Sequence, residues 1–170
     1  MLVNLFLGLT GRPKRGKALF THAVAEARRP FWYEECGVPD TIDGRFAMLA
    51  TICALLVVRL ESCGASGESA SAALTERFIE AMDAEHRQLG LNDPGLGRRV
   101  RKLVGALARR VDQWRSATGG EGEWGETILS SVYRDADPAP AAFEQSQQAL
   151  RDYWRRLGDT PEQQLVEGRS

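Results

Sequence analysis

The sequence predicts an all-α fold, a single-domain bundle of about six helices around one buried central helix. Three observations predict it. Apolar residues recur at spacings of three and four along most of the chain, clusters of Gly, Pro, Asn and Asp separate these segments, and no stretch shows the alternation typical of strands. At 170 residues, of which 43% are hydrophobic and 26% charged, the chain is long enough to bury one core.

The first two helices flank an aromatic segment. A helix is expected from Lys17 to Arg28, closed by Pro30, and the triplet Phe31-Trp32-Tyr33 follows it. The second helix contains the most apolar run in the chain, Phe46 to Val58, interrupted only by Thr51. At about 1.5 Å per residue this run spans roughly 20 Å, which is shorter than the ~30 Å hydrocarbon core of a bilayer. Its length therefore favours a buried central helix over a membrane span or a buried strand.

Four further helices complete the predicted bundle. The third follows a glycine break at Gly64–Gly67, is expected to be capped by Ser66 or Ser69, and ends near Leu89. The others are expected at about Gly97–Ala117, at Trp124–Tyr133 and from Pro138 or Pro140. The resulting division is an N-terminal basic and apolar segment at 1–16, a helical domain at 17–157 and a flexible polar tail at 158–170.

The N-terminal segment begins MLVNLFLGLTGRPKR, with its apolar residues ahead of its charges. This order is the reverse of that in a secretory signal peptide, so a removed signal is not expected. Two interpretations stay open. The segment is either an amphipathic stretch that lies on a membrane surface through Leu2, Phe6 and Leu7, or a terminus that is flexible or docked on its own domain.

The sequence offers little catalytic machinery. It contains two histidines and three cysteines, and it lacks a nucleophile turn and the glycine motifs that bind phosphates or dinucleotides. Glu80, Asp83 and His86 share one helical face, but the second ligand set of a di-iron bundle is missing, so a solvated polar face is favoured over a metal site. Cys53 lies in the apolar run, which predicts a buried thiol in a reducing compartment. The chain is therefore expected not to be an enzyme and to need no cofactor or metal. The catalytic alternative is an enzyme with a metal centre at Asp83 and His86.

Charge is segregated between the third and fourth predicted helices. Seven basic residues and one acid lie between Arg98 and Arg115, whereas seven acids and two arginines lie between Glu61 and Asp93. One interpretation is that the two helices pack antiparallel and exchange surface ion pairs. The other is that the basic helix binds a polyanion, either acidic lipid headgroups or ribosomal RNA. Sequence-specific nucleic-acid binding is not expected, because no base-stacking motif or recognition-helix turn is present.

The stretch GVPDTIDGRF, residues 37–46, precedes the buried helix. Gly37 permits a turn, and Pro39 favours an extended conformation of Val38, the residue before it. Three of its residues are good helix N-caps: Asp40, Thr41 and Asp43. Capping does not explain Arg45, because a cation in the first turn opposes the helix dipole unless a carboxylate compensates it. If Asp43 is the cap, Asp40 is available to pair with Arg45.

Two longer stretches carry a family resemblance. The first is ARRPFWYEECGVPDTIDGRFAMLATICALLVVRL, in which VPDT followed by GRF at fixed spacing is not required by helix formation alone. The second is FIEAMDAEHRQLGLNDPGLGRRVRKLVGAL. Together they resemble the ubiquinol-cytochrome c chaperone family, the assembly factors for cytochrome b of the respiratory bc1 complex, over about Lys17 to Arg115.

The resemblance implies an α-helical, non-enzymatic chaperone that is cytoplasmic and peripherally associated with the inner membrane. Its client would be newly synthesised cytochrome b, whose entry into the bc1 complex it would promote. Other partners that the resemblance or the charge pattern suggests are the ribosome near its tunnel exit, an anionic membrane surface, and a small partner protein or a second copy of the chain. The alternative from another class is a ribosome- or RNA-associated helical factor that binds through the basic helix at 97–117.

The expected client-binding site combines an apolar or aromatic groove with polar anchors. Its candidate residues are Phe31, Trp32, Tyr33, Val38, Pro39, Asp40, Thr41, Arg45, Asp83 and Arg87. The candidate residues for an anionic membrane or ribosome surface are Arg98, Arg99, Arg101, Lys102 and Arg109. For Phe31 and Tyr33, and for the Asp40 and Arg45 pair, a purely structural role is the open alternative.

Overall fold

The computed structural model of the chain describes residues 16–88 and 96–168. Within these ranges all regular structure is helical, and the predicted all-α, single-domain fold is confirmed. The α-helices are α1 (Lys17–Ala27), α2 (Pro30–Glu34), α3 (Ile42–Leu60), α4 (Gly64–Gln88), α5 (Leu96–Thr118), α6 (Trp124–Ile128), α7 (Pro140–Asp159) and α8 (Glu162–Val166). A 3-10 turn, Glu61–Cys63, joins α3 to α4, and a π-helical turn, Leu129–Tyr133, continues α6. The N-terminal segment up to residue 15 and the turn predicted after Leu89 lie outside the described residues.

The central helix is α3, as the apolar run predicted. Twelve of its nineteen residues are buried, and it contacts α1, α4, α5, α7 and the π-helical turn. Because full burial of a leucine or isoleucine side chain contributes about 1.5–3 kcal/mol relative to exposure, α3 supplies much of the driving force for folding. It also fixes the positions of the helices whose ends form the site described below.

The apolar character of α3 invites comparison with a membrane span. Among the described residues, the stretch Ile42–Glu85 contains one 18-residue window that is long and apolar enough to cross a membrane. However, 67% of that window is buried inside the fold. The central helix of a bundle meets the same criteria of length and composition, so the packing supports a core role for this helix.

The start of α4 differs from the prediction. The chain breaks at Gly64, which has a φ of 58°, and α4 begins there rather than after Gly67. The predicted cap by Ser66 or Ser69 is therefore wrong, and the Ser66 hydroxyl lies 2.7 Å from the carboxylate of Glu162. Gly67 lies inside α4, at a position where a Cβ would collide with the carbonyl oxygen of Leu60. A close approach between chain segments, rather than a helix break, accounts for this second glycine.

The last predicted helix begins at Pro140, one of the two prolines, Pro138 and Pro140, whose fixed φ suited its start. The stretch 158–170, expected to be a flexible polar tail, contains α8 within its described residues. Leu165 of α8 is fully buried. One apolar side chain at the right position thus attaches this part of the chain to the core.

His22 of α1 lies half-buried against Tyr153 of α7. Its Nε2 atom is 3.1 Å from the tyrosine hydroxyl oxygen, and the two rings are stacked with centroids 6.1 Å apart. Burial lowers the pKa of His22, an effect that Glu26 opposes and Arg156 reinforces. The folded protein therefore favours the neutral imidazole.

This burial predicts a loss of stability in mild acid. Below the ordinary histidine pKa of about 6.5, the unfolded chain binds a proton that the folded protein resists, so the unfolding free energy should fall as the pH drops through this window. Above that pKa, the imidazole is neutral in both states and His22 causes no loss of stability. Urea unfolding at about pH 7.5 and about pH 5.5 measures the difference. His22→Gln, which does not titrate, should show a smaller change, and an equal change in both proteins would contradict the assignment.

Candidate functional site

The loop from Gly37 to Thr41 sets the start of α3. Gly37 has a φ of 66°, which glycine adopts without strain. Thr41 is the N-cap of α3, because its Oγ1 atom accepts a hydrogen bond from the N–H of Gly44 at 3.1 Å. Of the three possible caps, Thr41 therefore takes the role. Asp43 lies in the first turn, where a carboxylate interacts favourably with the helix dipole.

Gly44, the glycine of the GRF motif, lies against the preceding loop. A Cβ at this position would collide with the carbonyl oxygen of Pro39. Any side chain here would displace either the loop or the first turn of α3. The glycine is therefore required by the close approach of two backbone segments, and it does not need a functional explanation.

Asp40 and Arg45 form an exposed ion pair across the start of α3. The Nε of Arg45 donates to Oδ1 of Asp40 at 2.6 Å, and the side chains are 57% exposed for Asp40 and 64% for Arg45. The hydrogen bond from Arg45 lowers the pKa of Asp40. The Arg45 guanidinium also lies 5.9 Å from the ring centroid of Tyr33, within cation–π range. The carboxylate thus compensates a cation in the first turn, but a pair this exposed contributes little to stability.

The three aromatic residues of α2 have different surroundings. Trp32 is fully buried, and its indole N–H donates to the carbonyl of Glu26 at 2.8 Å. Phe31 and Tyr33 are half-buried, and the Tyr33 hydroxyl donates to the carbonyl of Ala27 at 2.7 Å. Trp32 is therefore part of the core, whereas Phe31 and Tyr33 keep part of their surface exposed.

Two grooves flank the start of α3. The α1–α4 groove has a volume of about 560 Å³, and its lining includes Phe20, Val24, Tyr33, Arg45, Leu49 and Ala81. The α4–α5 groove has a volume of about 740 Å³, and its lining includes Asp43, Lys102, Leu103, Ala106, Arg109 and Arg134. Both grooves share Thr41, Ile42, Phe46, Met82 and Glu85. They are therefore two halves of one concave surface around the first turns of α3.

Ile42 lies where the two grooves meet. It is the first residue of α3, and 59% of its surface is exposed. Among the described residues, the other large exposed apolar side chain is Leu129, at 40%. An exposed isoleucine beside concave, partly apolar surfaces is typical of a protein-binding site.

Comparison with known proteins connects this surface to a family. The model of the family described as Ubiquinol-cytochrome C chaperone matches residues 34–170. The chain belongs to the ubiquinol-cytochrome c chaperone family. The matched range includes the loop before α3, the ion pair at its start, and the parts of both grooves that α3, α4 and α5 contribute. Membership of this family indicates a chaperone role with a client protein as partner.

This chaperone also shares its fold with a solved protein, reported as the crystal structure of the Cbp3 homolog from Brucella abortus. The TM-score is 0.77 at 21% sequence identity, and the alignment covers 99% of this chain and 94% of the other. At this level of identity the likeness concerns the fold. No match was found among curated proteins.

The chaperone fold brings part of the predicted client-binding set together. Four of its members line the α1–α4 groove: Tyr33, Asp40, Thr41 and Arg45. Phe31 and Pro39 are half-buried and line neither groove, and Trp32 and Val38 lie in the core. Asp83 is half-buried on α4 and lines neither groove, and the side chain of Arg87 lies outside the described residues.

The residues predicted to bind an anionic membrane or ribosome surface lie partly in the α4–α5 groove and partly outside both grooves. Lys102 and Arg109 line the α4–α5 groove. Arg98 and Arg101 are exposed and line neither groove, and the side chain of Arg99 lies outside the described residues. The basic helix therefore contributes both to the groove beside Ile42 and to a separate exposed surface.

Surface ion pairs account for only part of the charge segregation. Arg115 at the end of α5 donates to Glu61 at 2.6 and 2.9 Å and to Asp112 at 2.6 Å. None of the described ion pairs involves Arg98, Arg101, Lys102 or Arg109. The pairing explanation thus holds for Arg115 and leaves the cations at the other end of α5 to be explained.

Sequence reasoning missed two residues that line the concave surface, Ile42 and Arg134, and one that lies beside Phe46, Arg110. The sequence pattern did not indicate Ile42, because this residue lies just outside the apolar run. Arg110 carried a usable signal, since it is three residues from Leu107 and four from Trp114 and so shares their buried face. Arg134 carried none, because its position depends on an uncommon backbone conformation with a φ of 56°.

A metal centre on α4 receives no support from the described side chains. No group of three or more His, Cys, Asp and Glu side chains among them is arranged to hold a metal ion. Glu80 instead pairs with Arg77 at 2.9 Å. The side chain of His86 lies outside the described residues.

Proposed function

We propose that this protein is a non-enzymatic assembly chaperone that binds newly synthesised cytochrome b and promotes assembly of ubiquinol-cytochrome c reductase, the bc1 complex. The observation that carries the proposal is the exposure of Ile42 between two grooves at the start of the buried helix. Family membership supports a chaperone role, and the family description names ubiquinol-cytochrome c.

The concave surface has the chemistry that such a client requires. A newly made membrane protein exposes apolar segments that water would drive to aggregate, and a chaperone delays this by covering them reversibly. Ile42, Phe46 and Met82 supply apolar contact area in both grooves. Asp40 and Arg45 supply polar groups at the rim that orient a bound chain without burying an unpaired charge.

The exposed cations of α5 support a location at the cytoplasmic face of the inner membrane. Arg98 and Arg101 are solvent-exposed and belong to no described ion pair. Each cation near an anionic membrane surface contributes about 1 kcal/mol of attraction. This attraction would hold the chaperone beside the membrane into which its client inserts.

Replacing Arg45 separates client binding from a structural role. Arg45→Ala removes an exposed ion pair, so the unfolding temperature should stay close to that of the wild type while co-purification of cytochrome b and the yield of bc1 complex fall. Arg155→Ala is a matched control. It removes another exposed arginine, 67% exposed and paired with Asp152 at 2.8 Å, from a helix that lines neither groove.

The two outcomes of this experiment are distinct. A stable Arg45→Ala protein that captures cytochrome b as well as the Arg155→Ala control does would contradict the proposal for this rim. A large drop in unfolding temperature for Arg45→Ala alone would assign the pair to the scaffold.

The second candidate function is binding of ribosomal RNA through the basic helix. The observation that favours it is the same set of exposed cations on α5, because a polyanion binds such a surface without sequence readout. It predicts RNA affinity that falls steeply with salt concentration, together with no affinity for cytochrome b. Capture of cytochrome b with weak, salt-insensitive RNA binding would exclude it.

A further inference from the structure

Arg110 of α5 is held partly out of water without a carboxylate partner among the described residues. One of its Nη atoms donates to the carbonyl of Ser131 at 3.0 Å, and its guanidinium lies 5.8 Å from the ring centroid of Phe46. Its Nε atom is buried and has no hydrogen-bond partner in the described part of the chain. Burial lowers the pKa of Arg110 to about 10, with contributions from Arg134 and Arg109. Arg110 is therefore still a cation at neutral pH, and its charge lacks a described counterion.

Arg109 and Arg134 add two further cations at the same place. Both are exposed, both line the α4–α5 groove with Lys102, and neither belongs to a described ion pair. Arg134 has a φ of 56°, and strained backbone in residues other than glycine is concentrated at functional sites. The acids of the groove are Asp43 and Glu85. With Arg110 beside Phe46, the cations outnumber them.

The remaining wall of the α4–α5 groove is apolar, and Ile42, Phe46 and Leu103 lie on it. We infer that this groove binds a client segment in which carboxylate side chains lie next to apolar side chains. The carboxylates pair with Arg109 and Arg134, and the charge of Arg110 strengthens the field at their binding position. The inference rests on the proposed function for the existence of a client and adds the chemistry of the segment that is recognised.

The shape of the groove favours a polypeptide over a membrane surface. A bilayer contacts cations that protrude from a flat or convex face, whereas Arg109 and Arg134 line a concavity of about 740 Å³ that holds several side chains. A planar guanidinium matches a carboxylate with two parallel hydrogen bonds. The apolar wall beside the arginines then contacts the neighbouring side chains of the same segment.

Two short amphipathic peptides test the inference. One presents leucine and glutamate on the same helical face, and the other has glutamine in place of each glutamate. Fluorescence anisotropy at low salt should give an affinity at least about tenfold higher for the glutamate peptide, because hydrogen bonds to charged groups are stronger than neutral ones. Arg134→Gly and Arg109→Gln should each reduce that affinity toward that of the glutamine peptide.

The variants are chosen so that folding is preserved. Glycine suits the positive φ at position 134, and Arg109 is exposed, so thermal unfolding should confirm a folded protein in both cases. Arg101→Gln is the matched control, because Arg101 is an exposed arginine of the same helix that does not line the groove. It should leave peptide affinity nearly unchanged.

Each other outcome overturns the inference in a recognisable way. Equal affinity for the two peptides would show that carboxylates are not recognised, and an equal loss in Arg101→Gln would show that general surface charge is responsible. Binding to phosphatidylglycerol vesicles that is lost in Arg134→Gly, without binding of the glutamate peptide, would assign the groove to a lipid surface.

Failure of the inference is separable from failure of the proposed function. If Arg134→Gly captures cytochrome b normally, the carboxylate site is not used for the client, and the proposed function stands. If the glutamate peptide is selected by a protein that does not capture cytochrome b, the site stands, and the identity of the client is wrong.

Discussion

Replacing Trp32 with alanine is expected to lower the free energy of unfolding by about 3–5 kcal/mol. Trp32 has no exposed surface in the fold, and its indole N–H donates to the carbonyl of Glu26. The substitution removes one of the largest side chains of the core and leaves a cavity there. Chemical denaturation followed by circular dichroism measures the loss.

The result decides how an aromatic residue of the family motif is used. The expected loss is a large fraction of the roughly 5–15 kcal/mol that stabilises a typical domain, so failure of bc1 assembly in this variant would follow from unfolding. Near-native stability combined with loss of client capture would contradict the core assignment and return Trp32 to the binding surface. Phe31→Ala is the comparison, because Phe31 is a half-buried neighbour on the same helix. This substitution should lower the free energy of unfolding by less than Trp32→Ala does.

Replacing Ile42 with glutamate is expected to weaken client capture strongly without loss of stability. Ile42 is 59% exposed and opens α3, where an added carboxylate interacts favourably with the helix dipole. The same carboxylate places a charge where the two grooves meet, and loss of a central apolar contact in an interface weakens binding by about tenfold or more. Co-purification of cytochrome b and thermal unfolding of the variant measure the two effects.

Leu129→Glu is the matched control for this substitution. Leu129 is the other large exposed apolar residue of the described chain, at 40%, and it lines neither groove. Its replacement should leave client capture intact. Equal loss of capture in both variants would indicate a diffuse apolar requirement instead of a site at the start of α3.

The fold could be predicted from the sequence because the strongest signals of its helices are local patterns. The apolar run of α3, the spacing of apolar residues in α5 and the proline at the start of α7 each follow from helix geometry and predicted the observed helices. The predicted start of α4 was wrong because it depends on a contact between two helices, which no local pattern shows. Gly67 is needed for close approach to Leu60, and glycine frequency alone does not distinguish such contact from a helix break.

The site was harder to predict because burial decides which motif residues reach the surface. Trp32 and Tyr33 are adjacent in sequence, yet one is fully buried and the other lines a groove. The pairing of Asp40 with Arg45 was predictable from the helix dipole, since a cation in the first turn needs a nearby carboxylate. The convergence of Arg109 and Arg134 was not, because it joins two segments whose packing no local pattern encodes.

The central claim is that the concave surface around the start of α3 contacts cytochrome b, and site-specific photocrosslinking tests it most directly. A photoreactive amino acid at position 42, in cells that make cytochrome b, should yield a crosslink to cytochrome b. The same probe at position 155, exposed on α7 and outside both grooves, should yield background only. A folded position-42 protein that gives no more cytochrome b crosslink than the position-155 control would contradict the claim.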